Sequence, residues 1–172
     1  MDAPSKKLAL ITGASAGIGR ELTKLFARDG YDLVLVARNG SSLASFGDEL
    51  QRQFQIKAKP FPLDLTDSAA PQFLFEQLAR ENIAVDVLVN NAGYGTLAPF
   101  VKTSVEDILG QIHLNIAALT HLTRLFLVPM LERKSGKILN VASTAGFQAG
   151  PGMAVYYATK SICDFPLGSS DA

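Results

Sequence analysis

Tyr156 and Lys160 stand four residues apart in AVYYATK (Ala154 to Lys160), a spacing that puts both side chains on one face of a helix. A phenol beside an ammonium group is suited to proton transfer. A free tyrosine has a pKa of about 10, too high for an efficient base near neutrality, and a neighbouring cation favours the phenolate. Tyr157 lies three residues from the same lysine, so spacing alone does not choose between the two phenols. A second stretch, TGASAGIG (Thr12 to Gly19), sets Ser15 and Ile18 among Gly13, Gly17 and Gly19. Such a turn lets backbone approach a diphosphate, and the helix that follows offers it free N–H groups and a positive dipole end. The turn lacks the GK[ST] ending of a P-loop nucleotidase.

The elements that must hold these groups alternate. KLALIT (Lys7 to Thr12), DLVLVA (Asp32 to Ala37), Ile56 to Leu63, VDVLVN (Val85 to Asn90) and KILNVAS (Lys137 to Ser143) read as strands, the third weakened by Pro60 and Pro62. Helical patterns separate them: Ile18, Leu22, Leu25 and Phe26 on one stripe, then Leu43, Phe46, Leu50 and Phe54 behind a cap at Ser41 or Ser42, then Phe73, Phe75 and Leu78. Thr103 and Glu106 have capping-box spacing and open a long helix towards Pro129, with Ile108, Ile112, Ile116 and Leu119 as its buried stripe. This rhythm predicts one domain, a doubly wound α/β fold with a parallel sheet between two helical layers. In such folds ligands bind beyond the carboxyl ends of the strands.

The unusual polar residues gather at those ends. Arg38 follows the second strand, where a site for NAD usually has an acid for the adenosine ribose; a guanidinium there attracts a 2′-phosphate and predicts NADP(H) over NAD(H), unless it is merely a solvated loop arginine. Asp64-Leu65 follows the third strand, where the carboxylate either accepts from the adenine amino group or caps the next helix through the LTDS turn. Asn90, Asn91, Ala92 and Gly93 follow the fourth; the amides can tie strand ends together and Gly93 leaves room for a ligand. Ser143 ends the fifth. Asn115 sits on the buried stripe of the long helix and needs partners there, as a structural bridge or as holder of a proton-relaying water. His113 and His121 have no acid or cysteine to complete a metal site.

Sixteen basic residues balance sixteen acidic ones without a basic block, which disfavours nucleic acid as a partner. No apolar stretch reaches the roughly 20 residues of a membrane helix, so no membrane partner is expected. Cys163 is alone, which excludes an intrachain disulfide, and the polar start MDAPSKK does not read as a signal peptide; both suggest a cytoplasmic protein.

TGASAGIG, NNAG, Asn115, Ser143 and YYATK, in that order, resemble the short-chain dehydrogenase/reductase family in its single-domain branch, across Lys7 to Lys160. The resemblance implies a Rossmann-like fold and hydride transfer between NADP(H) and a small-molecule carbonyl or alcohol substrate. It makes Tyr156 the general acid/base and leaves Tyr157 a packing role. Lys160 supports the phenol and reaches the nicotinamide ribose, Ser143 holds the substrate oxygen, and Asn115 holds a water behind Lys160. Gly13, Ser15, Gly17, Ile18, Gly19, Arg38, Asp64, Leu65, Asn91, Ala92 and Gly93 line the cofactor. The apolar loop Tyr94 to Phe100 hints at a lipophilic substrate. Residues 161–172 depart from the family pattern, with Pro166 interrupting the helix. They imply a chain lacking the family's last strands and part of the helix through which the family forms homo-oligomers. A catalytically silent remnant that binds only nucleotide or a homologous subunit is therefore the alternative expectation.

Overall fold

The computed structural model describes residues 6–148 and 150–164, which leaves Pro166 and most of the atypical tail outside the described residues. The five apolar runs form β1 (Leu8–Thr12), β2 (Asp32–Ala37), β3 (Ala58–Pro62), β4 (Val87–Asn90) and β5 (Lys137–Asn140). All pair in parallel in the order β3-β2-β1-β4-β5. The chain builds outward from β1 to β3, then crosses back to place β4 on the other side. That reversal opens a crevice at the carboxyl ends of β1 and β4.

Alternation along the strands assigns the two faces. Ala9, Ile11, Leu33, Leu35, Val87 and Val89 pack with Leu43, Phe46 and Leu50 of α2 (Gly40–Phe54) and Ala27 of α1 (Gly17–Arg28). Leu10, Val34, Val36 and Leu88 face the other way. They meet Leu74 and Leu78 of α3 (Ala70–Arg80) and Leu122, Phe126 and Met130 of α5 (Leu119–Glu132). Each fully buried side chain of this size contributes about 1.5–3 kcal/mol, an upper figure for an extended unfolded reference.

Several local expectations shift. Of the expected stripe of α1, Leu22 and Phe26 pack partly buried against the core, whereas Ile18 is 62% and Leu25 44% exposed; the buried residues of the helix are Gly19, Thr23 and Ala27, small enough to let it lie close to the sheet. Asn39, not a serine, caps α2: its Oδ1 accepts from the Ser42 N–H at 3.0 Å. The cap of α4 (Val105–Ile112) is Ser104, whose Oγ accepts from the Asp107 N–H at 3.1 Å, one residue beyond the expected box. Leu74 is buried in α3, whereas Phe73 is exposed.

Helical structure continues through a π-helical turn (His113–Ala118) into α5, and Pro129 lies within α5 rather than ending it. This 28-residue run, Val105–Glu132, reaches a mean hydropathy of 1.4 over an 18-residue window. By length and composition alone it is apolar enough to cross a membrane, a test that core helices of globular domains also pass, although the sequence shows no unbroken apolar stretch of that length. The polar residues of the run hide that composition from inspection. Gln111, Asn115 and Thr123 are buried, whereas the three isoleucines of the expected stripe are only half-covered.

The sheet edges differ. In β3, Leu63 N–H donates to Ala37 and Lys57 accepts from Leu33, so odd-numbered residues face β2 and even-numbered ones face outward. The outward positions are Ala58, Pro60 and Pro62; the Ala58 N–H donates to Gln51 Oε1 at 3.3 Å and the prolines have none to offer. In β5, Lys137 and Val141 donate to β4 and its flank, which turns the backbone groups of Ile138 and Asn140 away from the sheet.

Candidate active site

At the end of β1 the backbone turns through Gly13, whose φ of +67° favours glycine. A Cβ on Gly13 would also stand 2.7 Å from Asn91 Nδ2, and one on Gly19 would strike the Gly13 carbonyl and the same amide. The reason for this crowding is Asn91. Its Nδ2 donates to the Thr12 carbonyl at 2.9 Å and the Gly13 carbonyl at 3.3 Å, stitching the end of β4 to the turn. Thr12 reciprocates, its Oγ1 accepting from the Asn91 and Ala92 N–H groups at 3.0 Å each. Asn90 Nδ2 reaches the other way, to Asn140 Oδ1 at 3.0 Å and Thr123 Oγ1 at 2.9 Å. Three strand ends are thus held in register around one opening.

That opening is a cavity of about 580 Å³. Gly13, Ser15, Gly17 and Ile18 form one wall, Arg38, Asp64 and Leu65 one end, Asn91, Ala92 and Gly93 the floor, and Ser143, Tyr156 and Lys160 the opposite end. Gly19 and Asn115 do not line it; they lie behind the wall and the floor respectively. Ala16, Asn39, Tyr94, Val141 and Ala142, not singled out from sequence, line it as well. Their only sequence signal was adjacency to the strand ends.

Asp64 Oδ1 accepts from the Thr66 N–H at 3.0 Å and its hydroxyl at 2.8 Å, closing a turn ahead of α3 rather than capping the helix itself. The Thr66 N–H bond, then the Thr66 hydroxyl and the Arg38 guanidinium, hold this carboxyl below its ordinary 3.8 against a smaller opposing effect of burial. Tyr94 is shifted upward, by burial first and then by the charge of Asp107; its hydroxyl donates to the Asp107 carbonyl at 3.3 Å.

At the far end α6 (Ala154–Lys160) presents its pair. Lys160, 7% exposed, donates from Nζ to the Val141 carbonyl at 2.9 Å and lies 6.0 Å from the centre of the Tyr156 ring. Gly95 makes room for that ring, since a Cβ there would sit 2.5 Å from Tyr156 Cγ. Tyr157 meets Tyr156 edge-on at 6.4 Å and packs on Gly150, away from the cavity. Ser143 Oγ accepts from the Ala145 N–H at 3.2 Å, which leaves its own hydrogen free for the cavity. Asn115 is fully committed as a donor, with Nδ2 bonded to the Tyr94 carbonyl at 2.8 Å and Thr159 Oγ1 at 2.9 Å, and its Oδ1 accepts from the Tyr94 N–H at 3.1 Å. The side chain thus bridges the loop after β4 and α6.

A glycine turn at one end and a Ser–Tyr–Lys cluster at the other therefore share one crevice, and a family model for short chain dehydrogenases matches residues 7–164. The chain belongs to that family. Among its short-chain dehydrogenase relatives, a very-long-chain 3-oxoacyl-CoA reductase of Ajellomyces capsulatus is 33% identical over 165 residues, covering 94% of this chain and 49% of the relative. An NADP-dependent 3-hydroxy acid dehydrogenase of Escherichia coli is 37% identical over 156 residues, covering 90% of this chain and 61% of the relative. A short-chain dehydrogenase from Sphingobium yanoikuyae, solved in complex with NADPH, superposes with a TM-score of 0.86 at 36% identity, over 91% of this chain and 61% of that one. The chain thus spans about half to three-fifths of the length of the curated relatives it matches.

Proposed function

We propose that this chain carries the nucleotide- and carbonyl-binding site of an NADP(H)-dependent oxidoreductase acting on a lipophilic carbonyl or alcohol compound. The observation that carries the reading is the single cavity with Arg38 at one end and Ser143, Tyr156 and Lys160 at the other. The residues fit a dinucleotide: Gly13 and Gly17 turn the backbone through positive φ angles of +67° and +52° beside the cavity, and the first turn of α1 offers unpaired N–H groups for a diphosphate. Arg38 and Asn39 suit a ribose 2′-phosphate, while Asp64 and Leu65 suit the adenine. When bound, NADP(H) supplies or accepts the hydride.

The protein's own groups supply the rest. The Tyr156 hydroxyl gives its proton to the carbonyl oxygen in reduction and takes it back in oxidation. Ser143 donates its free hydrogen to the same oxygen and fixes its distance from the phenol. One Lys160 hydrogen is spent on Val141; the other two remain for the nicotinamide ribose and the phenol side of the site. Exposed Leu97, Phe100 and Val101, in and just beyond the loop after Gly93, support an apolar substrate.

Titration with NADPH and NADH, followed by a panel of ketones and aldehydes, tests this reading. Tighter binding of NADPH is expected, with Arg38→Asp weakening it roughly 10- to 100-fold, the range of a lost charge-assisted hydrogen bond. Equal affinity of the unmutated protein for NADH would remove the role given to Arg38. Binding without turnover of any carbonyl would leave a nucleotide-binding chain and end the catalytic reading.

A further inference from the structure

Thr159 occupies the position between the two tyrosines and Lys160, and it does not touch the cavity. It is 1% exposed. Its hydroxyl donates to the Tyr156 carbonyl at 2.8 Å, three residues back, a bond that helical threonines often make. The same oxygen also accepts from Asn115 Nδ2 at 2.9 Å, across 44 residues of sequence, in a buried setting. Asn115 lies in the π-helical turn and is itself bonded through both amide atoms to the backbone of Tyr94.

A continuous path of hydrogen bonds, buried at its central Asn115–Thr159 link and part-buried at both ends, therefore runs from the loop after β4, through Asn115 and Thr159, to the backbone of Tyr156. That loop returns to the same residue from the other side, because Gly95 packs on the Tyr156 ring. We propose that Thr159 is a positioning residue, its hydroxyl joining the π-helical turn to the helix of Tyr156 and Lys160 so that the phenol keeps its place at the cavity. The proposal rests on the oxidoreductase reading for its consequence, but the linkage itself does not.

Three variants of the full chain test it: Thr159→Val, which keeps the shape and removes the hydroxyl, Thr159→Ala, which opens space, and Thr159→Ser, which keeps the hydroxyl. Deuterium uptake is followed by mass spectrometry in peptides covering residues 91–97 and 154–160, alongside NADPH titration and steady-state turnover. The valine and alanine variants are expected to exchange about ten-fold faster in both peptides while β1 and β2 stay unchanged, and the serine variant is expected to match the unmutated protein. Where the unmutated chain turns over, kcat should fall about ten-fold or more with NADPH affinity held within about two-fold, and serine should restore it.

Unchanged exchange in the two peptides overturns the proposal, as does a uniform rise across the whole chain. Should the valine variant not fold, the alanine variant decides; failure of both to fold means a role in the whole fold and also counts against positioning. An unmutated chain that binds no NADPH or reduces nothing sinks the oxidoreductase reading, while the exchange pattern still decides the fate of the linkage.

Discussion

Gly95→Ala isolates the packing that seats Tyr156. Gly95 has no positive φ, so alanine is allowed by the backbone. With free space around it, the substitution would raise stability by about 0.4–1 kcal/mol through the unfolded chain. The structure predicts the opposite sign. The new Cβ would stand 2.5 Å from Tyr156 Cγ and Cδ2 and 2.8 Å from its Cβ. Carbon atoms settle about 3.5–4.0 Å apart, so the ring must retreat by about 1 Å. Tyr157 stands edge-on beside it, and Asn115 fixes the Tyr94 backbone next to Gly95, so neither side gives way freely. Overpacking of this kind costs about 1–3 kcal/mol of stability. A phenol displaced by about 1 Å costs on the order of 100-fold in rate, close to 2.7 kcal/mol of barrier. Urea unfolding gives the first quantity, and kcat with a reducible ketone gives the second. NADPH affinity should change less than about two-fold, because Arg38 and the glycine wall lie at the other end of the cavity. A stabilised variant with undiminished kcat would refute the seating of Tyr156 against this glycine.

Tyr156→Phe should cut turnover by about 10²–10⁴-fold and leave NADPH binding in place, whereas Tyr157→Phe should leave turnover nearly intact; the reverse pattern in steady-state assays would transfer the acid/base role. Gly19→Ala should cost about 1–3 kcal/mol in urea unfolding and weaken NADPH binding, since its Cβ meets the Gly13 backbone carbonyl, which cannot swing aside, as well as the Asn91 amide. Asp64 adds stability that is fully present above its ordinary pKa of 3.8 and is lost as pH falls through its lower folded value. Unfolding midpoints of Asp64→Asn between about pH 3 and 6 should therefore fall less steeply on acidification than those of the unmutated chain, and parallel curves would contradict that pairing.

Period and glycine placement made most of the sheet legible. Residues 9, 11, 33 and 35 on one face and 10, 34 and 36 on the other follow directly from β alternation, and the cavity residues were found because strand ends are where polar and glycine residues interrupt apolar runs. What escaped was longer in range. Nothing near Asn115 announces a π-helical turn, and the partners its amide finds there, Tyr94 and Thr159, lie 21 and 44 residues away. The isoleucine stripe misled for a related reason: Leu119 is buried as expected, but the inner face before it holds Gln111 and Asn115, polar side chains that a hydropathy pattern scores as outside. Asn39 and Ser104 were displaced from the expected caps by one to three residues, because serine, threonine and asparagine compete for such positions and only backbone geometry decides.

The unequal sheet edges set a limit on growth. A fibre of stacked sheets needs two adhesive edges per unit, one to receive and one to pass on the pairing. Here β3 is a terminator: prolines stand at two outward positions, and Gln51 occupies the remaining amide. β5 is an acceptor, with Ile138 and Asn140 turned outward. Among the described residues, backbone pairing with a further strand is therefore open on the β5 side and obstructed on the β3 side, so the sheet is directional: it can be extended from one edge and not from the other.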